Sequence, residues 1–329
     1  MDINGIAQLA GVSRATVSRY LNNGYVSKEK RELIAKVIEE TGYVPSQEAR
    51  QLRTGKSKLV CVIIPKINSE SVSRMISGIT DVLNASGRQV LLANTDNDER
   101  AEDKYLRLFS KRTRVDGVIL IATILTDAHR KAIDSLNVPL VLLGQQVEGT
   151  ACVFHDDYRA VRDMTRTVLK TSKHPGYIGV TERDVAAGRM RHQGFLDACA
   201  QVGRPVRSEA QETASFNMDS GYFACERLME AAPDTDAIVC ATDYIAFGAI
   251  ACLREYGHRV PEDVQVTGVG DSDLSRVTTP SLSTAHLYYR TSGQEAARML
   301  ISALDESDDG PRARELKMGY EIHLRNSTR

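Results

Sequence analysis

The sequence predicts an α/β protein in which a small all-α head is followed by two doubly wound parallel-sheet subdomains. Three observations lead to this fold class. The chain has 329 residues, more than one ordinary domain. Residues 1–58 have apolar positions at helical spacing only, whereas short continuous apolar segments alternate with helical segments further on. Hydrophobic residues make up 42% and charged residues 26% of the chain, as in soluble globular proteins.

The head is expected to contain three short helices. The first ends at a Gly-Val-Ser interruption, and Ser13 is the predicted N-cap of a second helix at residues 14–21. Ser27 is the predicted cap of a third helix, which Gly42 ends. Residues 46–58 are too short and too polar to fold alone, and they are predicted to be a linker with weak helical character.

The remainder of the chain is expected to form the sheets. Continuous apolar segments typical of buried strands lie at 59–64, 90–93, 117–122, 140–143, 177–181, 237–242 and 264–269. Helical segments separate them at 71–85, 98–112, 127–136, 158–171, 188–201, 220–231 and 244–256. This alternation implies parallel sheets covered on both faces. Roughly 270 residues accommodate two such halves, with a cleft between them at the carboxyl ends of the strands.

The apolar pattern and the cysteines exclude several classes of protein. The longest apolar stretches, such as Leu59–Ile64, are far shorter than the ~20 residues of a membrane helix. The N-terminus has neither the basic nor the apolar region of a secretory signal. The six cysteines are scattered and mostly lie among apolar neighbours, which is typical of reduced thiols in a cytosol. We therefore expect a cytoplasmic protein without a membrane segment.

Motifs for catalysis or for a cofactor are missing. The Gly-Lys-Ser at 55–57 resembles the end of a phosphate-binding loop, but Arg50 stands where its first glycine belongs. The Gly-Val-Gly at 268–270 follows a strand, yet Asp273 replaces the third glycine of a dinucleotide fingerprint. No H-E-x-x-H, G-x-S-x-G or paired Cys/His spacing occurs, and the seven histidines are predicted to be surface or capping residues. We expect no enzyme, no cofactor and no metal site.

The charge is distributed unevenly. The first 58 residues contain ten basic and six acidic residues, whereas the remainder contains 32 basic and 37 acidic residues. A basic head on a mildly acidic body suggests that only the head meets a polyanion such as nucleic acid. The alternative is an ordinary solvated basic face.

The head carries a specific motif. The run IAQLAGVS at 6–13, followed by TVSR at 16–19 and LN at 21–22, is a helix–turn–helix in which Gly11 makes the turn. Continued by GYVP at 42–45 and ARQL at 49–52, this motif resembles the lactose/galactose repressor family of bacterial transcription regulators. Weaker matches follow in the family's order at 115–117, 138–139, 191–195, 243–248 and 324–328, so the resemblance covers the whole chain.

The resemblance implies a helix–turn–helix DNA-binding domain at 1–45, a hinge helix or linker at 46–58 and a periplasmic-binding-protein-like effector core at 59–329. The two subdomains of the core are then expected at about 59–157 with 287–316, and at about 158–286 with 317–329. It further implies a sequence-specific repressor of a carbohydrate operon that binds a near-palindromic operator as a homodimer. A sugar or sugar phosphate bound between the subdomains would control it.

The resemblance also implies which residues meet DNA. The second helix would lie in the major groove, with Arg14, Ala15 and Arg19 at base edges. Short hydroxyl side chains would contact phosphates, namely those of Ser13, Thr16 and Ser18. The alternatives are a solvated helix face for the arginines and plain capping or turn contacts for the hydroxyls. The linker matches the family's hinge, where Leu52 of each protomer would wedge into the minor groove beside Ala49, Arg50 and Arg53; packing of Leu52 against the core is the alternative.

In the core, the resemblance places the effector between the subdomains. Arg191 matches the arginine that holds ligand oxygens, although a structural salt bridge with Asp156 or Asp157 is an equal expectation. Phe216 and Tyr289 match aromatics that stack on the ligand, with core packing as their alternative. The further crevice positions at strand ends are Thr242, Asp243 and Asp271. The chain departs from the family here, since Gly270 replaces one of two successive acids and Thr242 replaces a frequent asparagine, so the carboxylate that takes the sugar hydroxyls stays open.

A phosphate group on the effector is a further expectation. Lys66 follows the first core strand on the opposite half from Arg191, and Ser69 and Ser71 stand at the start of the next helix, so that cations and a helix N-terminus form an anion seat. This stretch and residues 184–195 resemble repressors of disaccharide utilisation, including sucrose and trehalose operons. A neutral sugar and a solvent-facing Lys66 are the alternative.

Two rival functions remain at this point. A solute-binding protein without a regulatory role accounts for the core but not for the head. A sugar-modifying enzyme lacks a nucleophile or a metal constellation.

Overall fold

A computed structural model of the protein describes residues 1–22, 24–43, 57–111, 115–305 and 314–329. The chain divides into two compact units, Met1–Lys58 and Leu59–Arg329, and each is described by itself. The predicted hinge residues lie outside the described residues, namely Ala49, Arg50, Leu52 and Arg53, so their roles stay predictions. Within the described part of the chain, no helix is long and apolar enough to cross a membrane.

The first unit has three helices in the expected places: α1 at Ile3–Leu9, α2 at Arg14–Leu21 and α3 at Lys28–Thr41. Gly11 makes the turn before α2 at φ 63°, a conformation that glycine adopts without strain. The Ser13 hydroxyl accepts a hydrogen bond from the Thr16 N–H at 3.2 Å, which confirms the predicted cap. Ser27 stands at the N-cap of α3, but its side chain makes no capping hydrogen bond.

A small apolar core joins the three helices. Ile6 of α1, Val17 of α2 and Ile34 of α3 are fully buried and belong to one cluster. Burying a side chain of this size contributes roughly 1.5–3 kcal/mol. Because Val17 faces this core, the opposite face of α2 is directed outward.

The first subdomain of the second unit is built on a six-stranded sheet in the order β11-β5-β4-β3-β1-β2. All neighbouring strands are parallel. The strands are β1 Leu59–Ile64, β2 Gln89–Asn94, β3 Gly117–Ile121, β4 Leu140–Leu143, β5 Cys152–His155 and β11 Glu315–Met318. Its helices are α4 Glu70–Ala85, α5 Glu99–Lys111, α6 Asp127–Asp134 and α12 Tyr289–Asp305.

The second subdomain repeats this plan with the order β12-β10-β9-β8-β6-β7, in which β12 alone is antiparallel. The strands are β6 Pro175–Gly179, β7 Gln211–Thr213, β8 Ala237–Cys240, β9 Gln265–Val269, β10 Ser283–Leu287 and β12 Tyr320–His323. Its helices are α7 Asp157–Val168, α8 Arg191–Gln201, α9 Met218–Ala231, α10 Asp243–Glu255 and the short α11 Leu274–Val277. The predicted fold class, an all-α head followed in the sequence by two doubly wound parallel-sheet subdomains, is confirmed.

The chain passes between the subdomains three times. One residue separates the flanking elements at each passage: Asp156 between β5 and α7, Tyr288 between β10 and α12, and Gly319 between β11 and β12. The Asp156 N–H donates to the Met318 carbonyl at 3.1 Å, so the first and third passages lie side by side. The third passage follows Met318, two residues after the expected boundary at residue 316.

Candidate DNA interface and ligand cleft

The outward face of α2 presents the residues that were predicted to contact bases. Arg14, Ala15 and Arg19 are all exposed. The hydroxyls of Ser13 and Thr16 lie 2.9 Å apart, and the Asn22 side-chain amide donates to the backbone carbonyl of Ser18. The capping and turn contacts foreseen as the alternative for these hydroxyl residues are therefore present, whereas the two arginines are exposed side chains of a capped helix.

The second unit contains a cleft between its subdomains, divided into three cavities. The outer cavity has a volume of about 710 Å³, the deep cavity about 130 Å³ and the rim cavity about 110 Å³. Lys66 and Phe216 line all three. The Lys66 ammonium donates to the Phe216 carbonyl at 3.3 Å and lies 5.9 Å from the centre of the Phe216 ring. This contact joins the subdomains at a place that all three cavities share.

A buried ion pair forms one wall of the deep cavity. The Arg191 guanidinium donates to Asp157 Oδ1 from both Nε and Nη2 at 2.7 Å, and Nη1 donates to the Ala241 carbonyl at 2.6 Å. Burial lowers the pKa of Arg191, but the charge of Asp157 outweighs this and raises the pKa overall. The expected salt bridge therefore forms with Asp157. Asp156 instead caps α7 by accepting from the Arg159 N–H at 3.3 Å.

The sequence analysis missed a second group in the deep cavity, His155. Its ring meets the Tyr289 ring edge-on, with centres 5.0 Å apart, and Nε2 has no hydrogen-bond partner among the described residues. Burial lowers the pKa of His155 to about 4, Asp157 opposes this shift and Arg191 adds to it. The imidazole is therefore neutral at pH 7. The prediction of a surface or capping histidine is wrong here, because His155 ends a buried apolar strand that the sequence analysis did not identify.

Two further groups link the subdomains across the deep cavity. Gln145 Nε2 donates to the Thr123 carbonyl and to Asp184 Oδ1, both at 2.8 Å. Asp184 also accepts from the Ala187 N–H at 3.0 Å and opens a π-helical turn, Val185–Met190, where a regular helix from residue 188 was predicted. Burial raises the pKa of Asp184. Gln145 belonged to no recognisable motif, and Asp184 began the stretch 184–195 without being singled out, so both were missed as site residues.

The residues of the predicted anion seat line the rim cavity. The hydroxyls of Ser69 and Ser71 lie 3.0 Å apart at the start of α4, and Lys66 lines the same cavity. Burial lowers the pKa of Lys66, and no carboxylate among the described residues lies within 4 Å of its ammonium. Arg191, the second predicted cation, lines the deep cavity instead and is neutralised by Asp157. Of the two cations expected to hold an anionic ligand group, Lys66 alone lines the rim cavity.

The strand-end residues of the second subdomain are divided between cleft and interior. Thr242 caps α10, because its hydroxyl accepts a hydrogen bond from the Ile245 N–H at 3.3 Å. Asp243 lines the rim cavity. Its carboxylate accepts from the Ser272 N–H at 2.7 Å and from the Thr284 hydroxyl at 2.5 Å. Burial raises the pKa of Asp243. Its oxygens are thus engaged within the subdomain.

The prediction that Asp271 lines the cleft is wrong. Its side chain is fully buried and turns away from the three cavities toward Arg325, at 2.5 Å, and toward Arg276 and His286, each at 3.0 Å. Burial alone would raise the pKa of Asp271, but hydrogen bonds from these three partners and the charge of Arg325 hold it well below its usual range. Its backbone carbonyl does reach the cleft, where it accepts from Arg74 of the first subdomain at 2.9 Å.

One oxygen of an acid in the outer cavity is buried without a hydrogen-bond partner among the described residues. Glu102 Oε1 lies 3.8 Å from His129 Nε2. His129 Nδ1 accepts from the Thr126 N–H at 3.1 Å, and Nε2 contacts the Glu99 carbonyl at 2.9 Å, so the ring is a capping residue, as the sequence predicted. Burial, aided by the charge of Glu99, raises the pKa of Glu102 to about 7.

Comparison with known proteins gives the same picture for both units. A family model described as bacterial regulatory proteins, lacI family, matches residues 2–46, and a model of a periplasmic binding protein-like domain matches residues 170–328. The sucrose operon repressor of Staphylococcus xylosus is 33% identical over 90% of this chain and 91% of that protein. The transcriptional regulator RegA of Clostridium saccharobutylicum is 31% identical over 99% and 98%, respectively.

Two solved structures extend the likeness to three dimensions. The complex of the transcriptional regulator CelR with cellobiose has a TM-score of 0.76 and 27% identity, and the match covers 99% of both chains. The lac repressor dimer bound to operator and the anti-inducer ONPF has a TM-score of 0.87 over 98% of this chain and 97% of that one; at 21% identity it supports the fold alone. The chain is a member of the lacI family of bacterial regulatory proteins.

Proposed function

We propose that this lacI-family regulator is a cytoplasmic repressor of a carbohydrate-utilisation operon, that it binds a near-palindromic operator as a homodimer, and that a sugar bound in the cleft controls it. The observation that carries the proposal is the pairing, in one chain, of a capped helix with an exposed arginine face and a cleft lined by buried polar pairs. A catalytic role is not part of the proposal.

The contacts with the operator follow from the geometry of α2. An arginine that projects from the first turn of a groove-bound helix donates two hydrogen bonds to the O6 and N7 atoms of guanine. Arg14 occupies this place, and Ala15 beside it suits the methyl group of thymine. Arg19 stands five residues further along the same exposed helix, and Ser13, Thr16 and Ser18 contact phosphates.

The contacts with the effector follow from the deep cavity. Arg191 and Asp157 form one fixed donor and acceptor pair, and Gln145 and Asp184 form another. Such pairs match a ligand that offers a hydroxyl group as both donor and acceptor, which is the chemistry of a sugar. Phe216 and Tyr289 provide the apolar faces on which the C–H surface of a sugar ring packs. The buried carboxylates favour a ligand whose sugar part is neutral.

A phosphate on that sugar is a second proposal, and Lys66 is the residue that favours it. A desolvated ammonium without a carboxylate partner, next to two hydroxyls at the start of a helix, gains from an anionic ligand group. We expect a phosphorylated disaccharide to bind more tightly than its parent sugar, and Lys66→Met to remove that preference while neutral-sugar binding stays nearly unchanged. Calorimetry with sucrose and sucrose 6-phosphate measures this preference. Tight binding of sucrose that is unchanged in Lys66→Met would refute the phosphate proposal and leave the repressor proposal standing.

Control of the operator depends on contacts that cross the cleft. Arg183 pairs with Glu99 at 2.7 Å, and Gln145 pairs with Asp184, so the two subdomains are held together at the mouth and in the depth of the cleft. A ligand that binds one arrangement of these contacts more tightly than another shifts their populations. A coupling of about 1–3 kcal/mol between cleft and operator is typical of such linkage.

The test is an operator-binding assay with the full-length protein. A duplex selected by the protein from random DNA is titrated in the presence and absence of a panel of sugars, and the same panel is screened by thermal shift. A ligand at 100 times its dissociation constant stabilises the folded protein by about 2.7 kcal/mol. We expect at least one sugar both to stabilise the protein and to change its operator affinity. A protein that binds sugars but selects no DNA would instead be a solute-binding protein.

A further inference from the structure

The carboxylate of Asp271, which does not serve the cleft, lies at the centre of a histidine cluster. His286 Nδ1 lies 3.0 Å and His323 Nδ1 3.3 Å from the same oxygen, Asp271 Oδ2. The three ligand atoms all lie within 4.8 Å of one another, and the two imidazole rings are stacked with their centres 5.4 Å apart. We infer that Asp271, His286 and His323 form a binding site for a divalent transition metal ion such as Zn²⁺.

The distances between the ligand atoms support this assignment. Ligand atoms about 2.0 Å from a tetrahedral Zn²⁺ lie about 3.3 Å from one another. The two O–N separations, 3.0 and 3.3 Å, therefore require only small movements to enclose an ion. Two imidazole nitrogens and one carboxylate oxygen form a ligand set typical of zinc, with a fourth position left for water.

The sheet holds the two histidines in place. β10 and β12 are antiparallel, with Thr284 opposite His323 and His286 opposite Glu321. His286 and His323 are thus diagonal neighbours on one face of the sheet. They lie 37 residues apart in the sequence, which explains why no short metal-binding motif is visible.

A second layer of contacts orients one of the ligands. His323 Nε2 lies 3.2 Å from Glu321 Oε2, and the Tyr288 hydroxyl donates to Glu321 Oε1 at 2.5 Å. A carboxylate on the far nitrogen of a ligating histidine fixes the ring and raises its basicity, and such outer partners contribute about 10- to 100-fold to metal affinity.

Two arginines pair with the Asp271 carboxylate, and they differ in how easily a metal ion could displace them. Arg325 is largely buried; its Nη2 lies 2.5 Å from Oδ1 and 3.5 Å from His323 Nδ1, so it stands beside the ligand atoms. Arg276 lies on Oδ2, and its side chain is 61% exposed, so it is free to swing into solvent. Of the two cations beside the position of the metal ion, Arg276 is therefore the one that a metal ion displaces more easily.

The test is calorimetric titration of the metal-stripped, untagged full-length protein with ZnCl₂, together with Co²⁺, whose visible spectrum reports tetrahedral coordination. We expect one tight equivalent in the wild type. His286→Gln and His323→Gln should each weaken it by more than about tenfold, since even an outer partner contributes that much. Arg276→Gln should tighten it. His174→Gln, at an exposed histidine paired with Asp234, is the matched control and should change nothing.

Three results overturn the inference. These are no binding to the wild type, equal binding by the two ligand variants and the control, and a Co²⁺ spectrum without tetrahedral bands. The six cysteines are all buried, so thiolate coordination in the folded protein does not compete. Because each glutamine variant is checked by its circular dichroism and melting temperature, loss of folding is distinguished from loss of a ligand.

Discussion

Asp157→Asn tests the buried ion pair of the deep cavity most directly. Both Asp157 and Arg191 are less than a tenth exposed, and two of the guanidinium nitrogens donate to the same carboxylate oxygen at 2.7 Å. The substitution keeps the shape of the side chain but leaves a buried guanidinium without its counter-charge. Removing one partner of a buried pair costs about 3–5 kcal/mol, whereas an exposed pair contributes about 0–1 kcal/mol. We therefore expect the free energy of unfolding of the core to fall by about 3 kcal/mol or more.

The assay is urea unfolding followed by circular dichroism at constant pH, with Asp156→Asn as the matched control. Asp156 caps α7 and is not paired with Arg191, so its replacement by another good capping residue should have little effect. The double variant Asp157→Leu with Arg191→Met should recover most of the loss, because it buries no charge. If Asp157→Asn lowers the free energy of unfolding by less than about 1 kcal/mol, the pair is not a desolvated one and our account of the deep cavity is wrong.

Three further predictions concern the operator and a buried acid. Arg14→Ala should weaken binding to the selected operator by about 1–3 kcal/mol and relax base preference at one position, as measured by anisotropy on single-base variants; unchanged preference would show that Arg14 does not contact a base. Leu52→Ala, at the predicted hinge, should weaken binding to the operator much more than to random DNA, since only a bent operator receives the wedge, and equal losses would make Leu52 merely structural. For Glu102 the folded pKa is raised to about 7 from an ordinary value of 4.5, so its stabilising contribution is complete below pH 4.5 and is lost as pH rises toward 7. Glu102→Gln should therefore flatten the fall in the free energy of unfolding between pH 4.5 and pH 7, by about 3 kcal/mol over that range; an identical pH profile would contradict the assignment.

The fold was largely predictable because its main strands are buried on both faces. Leu59–Ile64 and Leu140–Leu143 have the same bounds in the structure as in the prediction, since continuous apolar runs leave few alternatives. Two of the strands that were not predicted, Gln211–Thr213 and Tyr320–His323, are short edge strands whose side chains are at most partly buried. Their pairing is decided by the rest of the sheet, which local patterning does not show.

The site was predictable where the position of a residue in the sequence was enough to place it. Lys66, Phe216 and Arg191 were each assigned to the cleft by position, and all three line it. The orientation of Asp271 depends on Arg325 and His286, which are distant in sequence, so a strand-end position alone led to the wrong face. The neutral state of His155 likewise depends on burial that only the assembled subdomains produce.

The three one-residue passages between the subdomains have a mechanical consequence. Three short tethers leave two bodies little freedom to slide or to separate, and they favour rotation about an axis that runs through the tethers. The residues next to two of these tethers, His155, Asp157 and Tyr289, are also residues that line the deep cavity. A ligand in that cavity is therefore bound close to the axis of rotation. For a given rotation, the displacement of an atom grows with its distance from this axis, so a small displacement at the ligand corresponds to a larger one at the opposite edge of each subdomain. Small differences between ligands therefore become large differences in the angle between the subdomains.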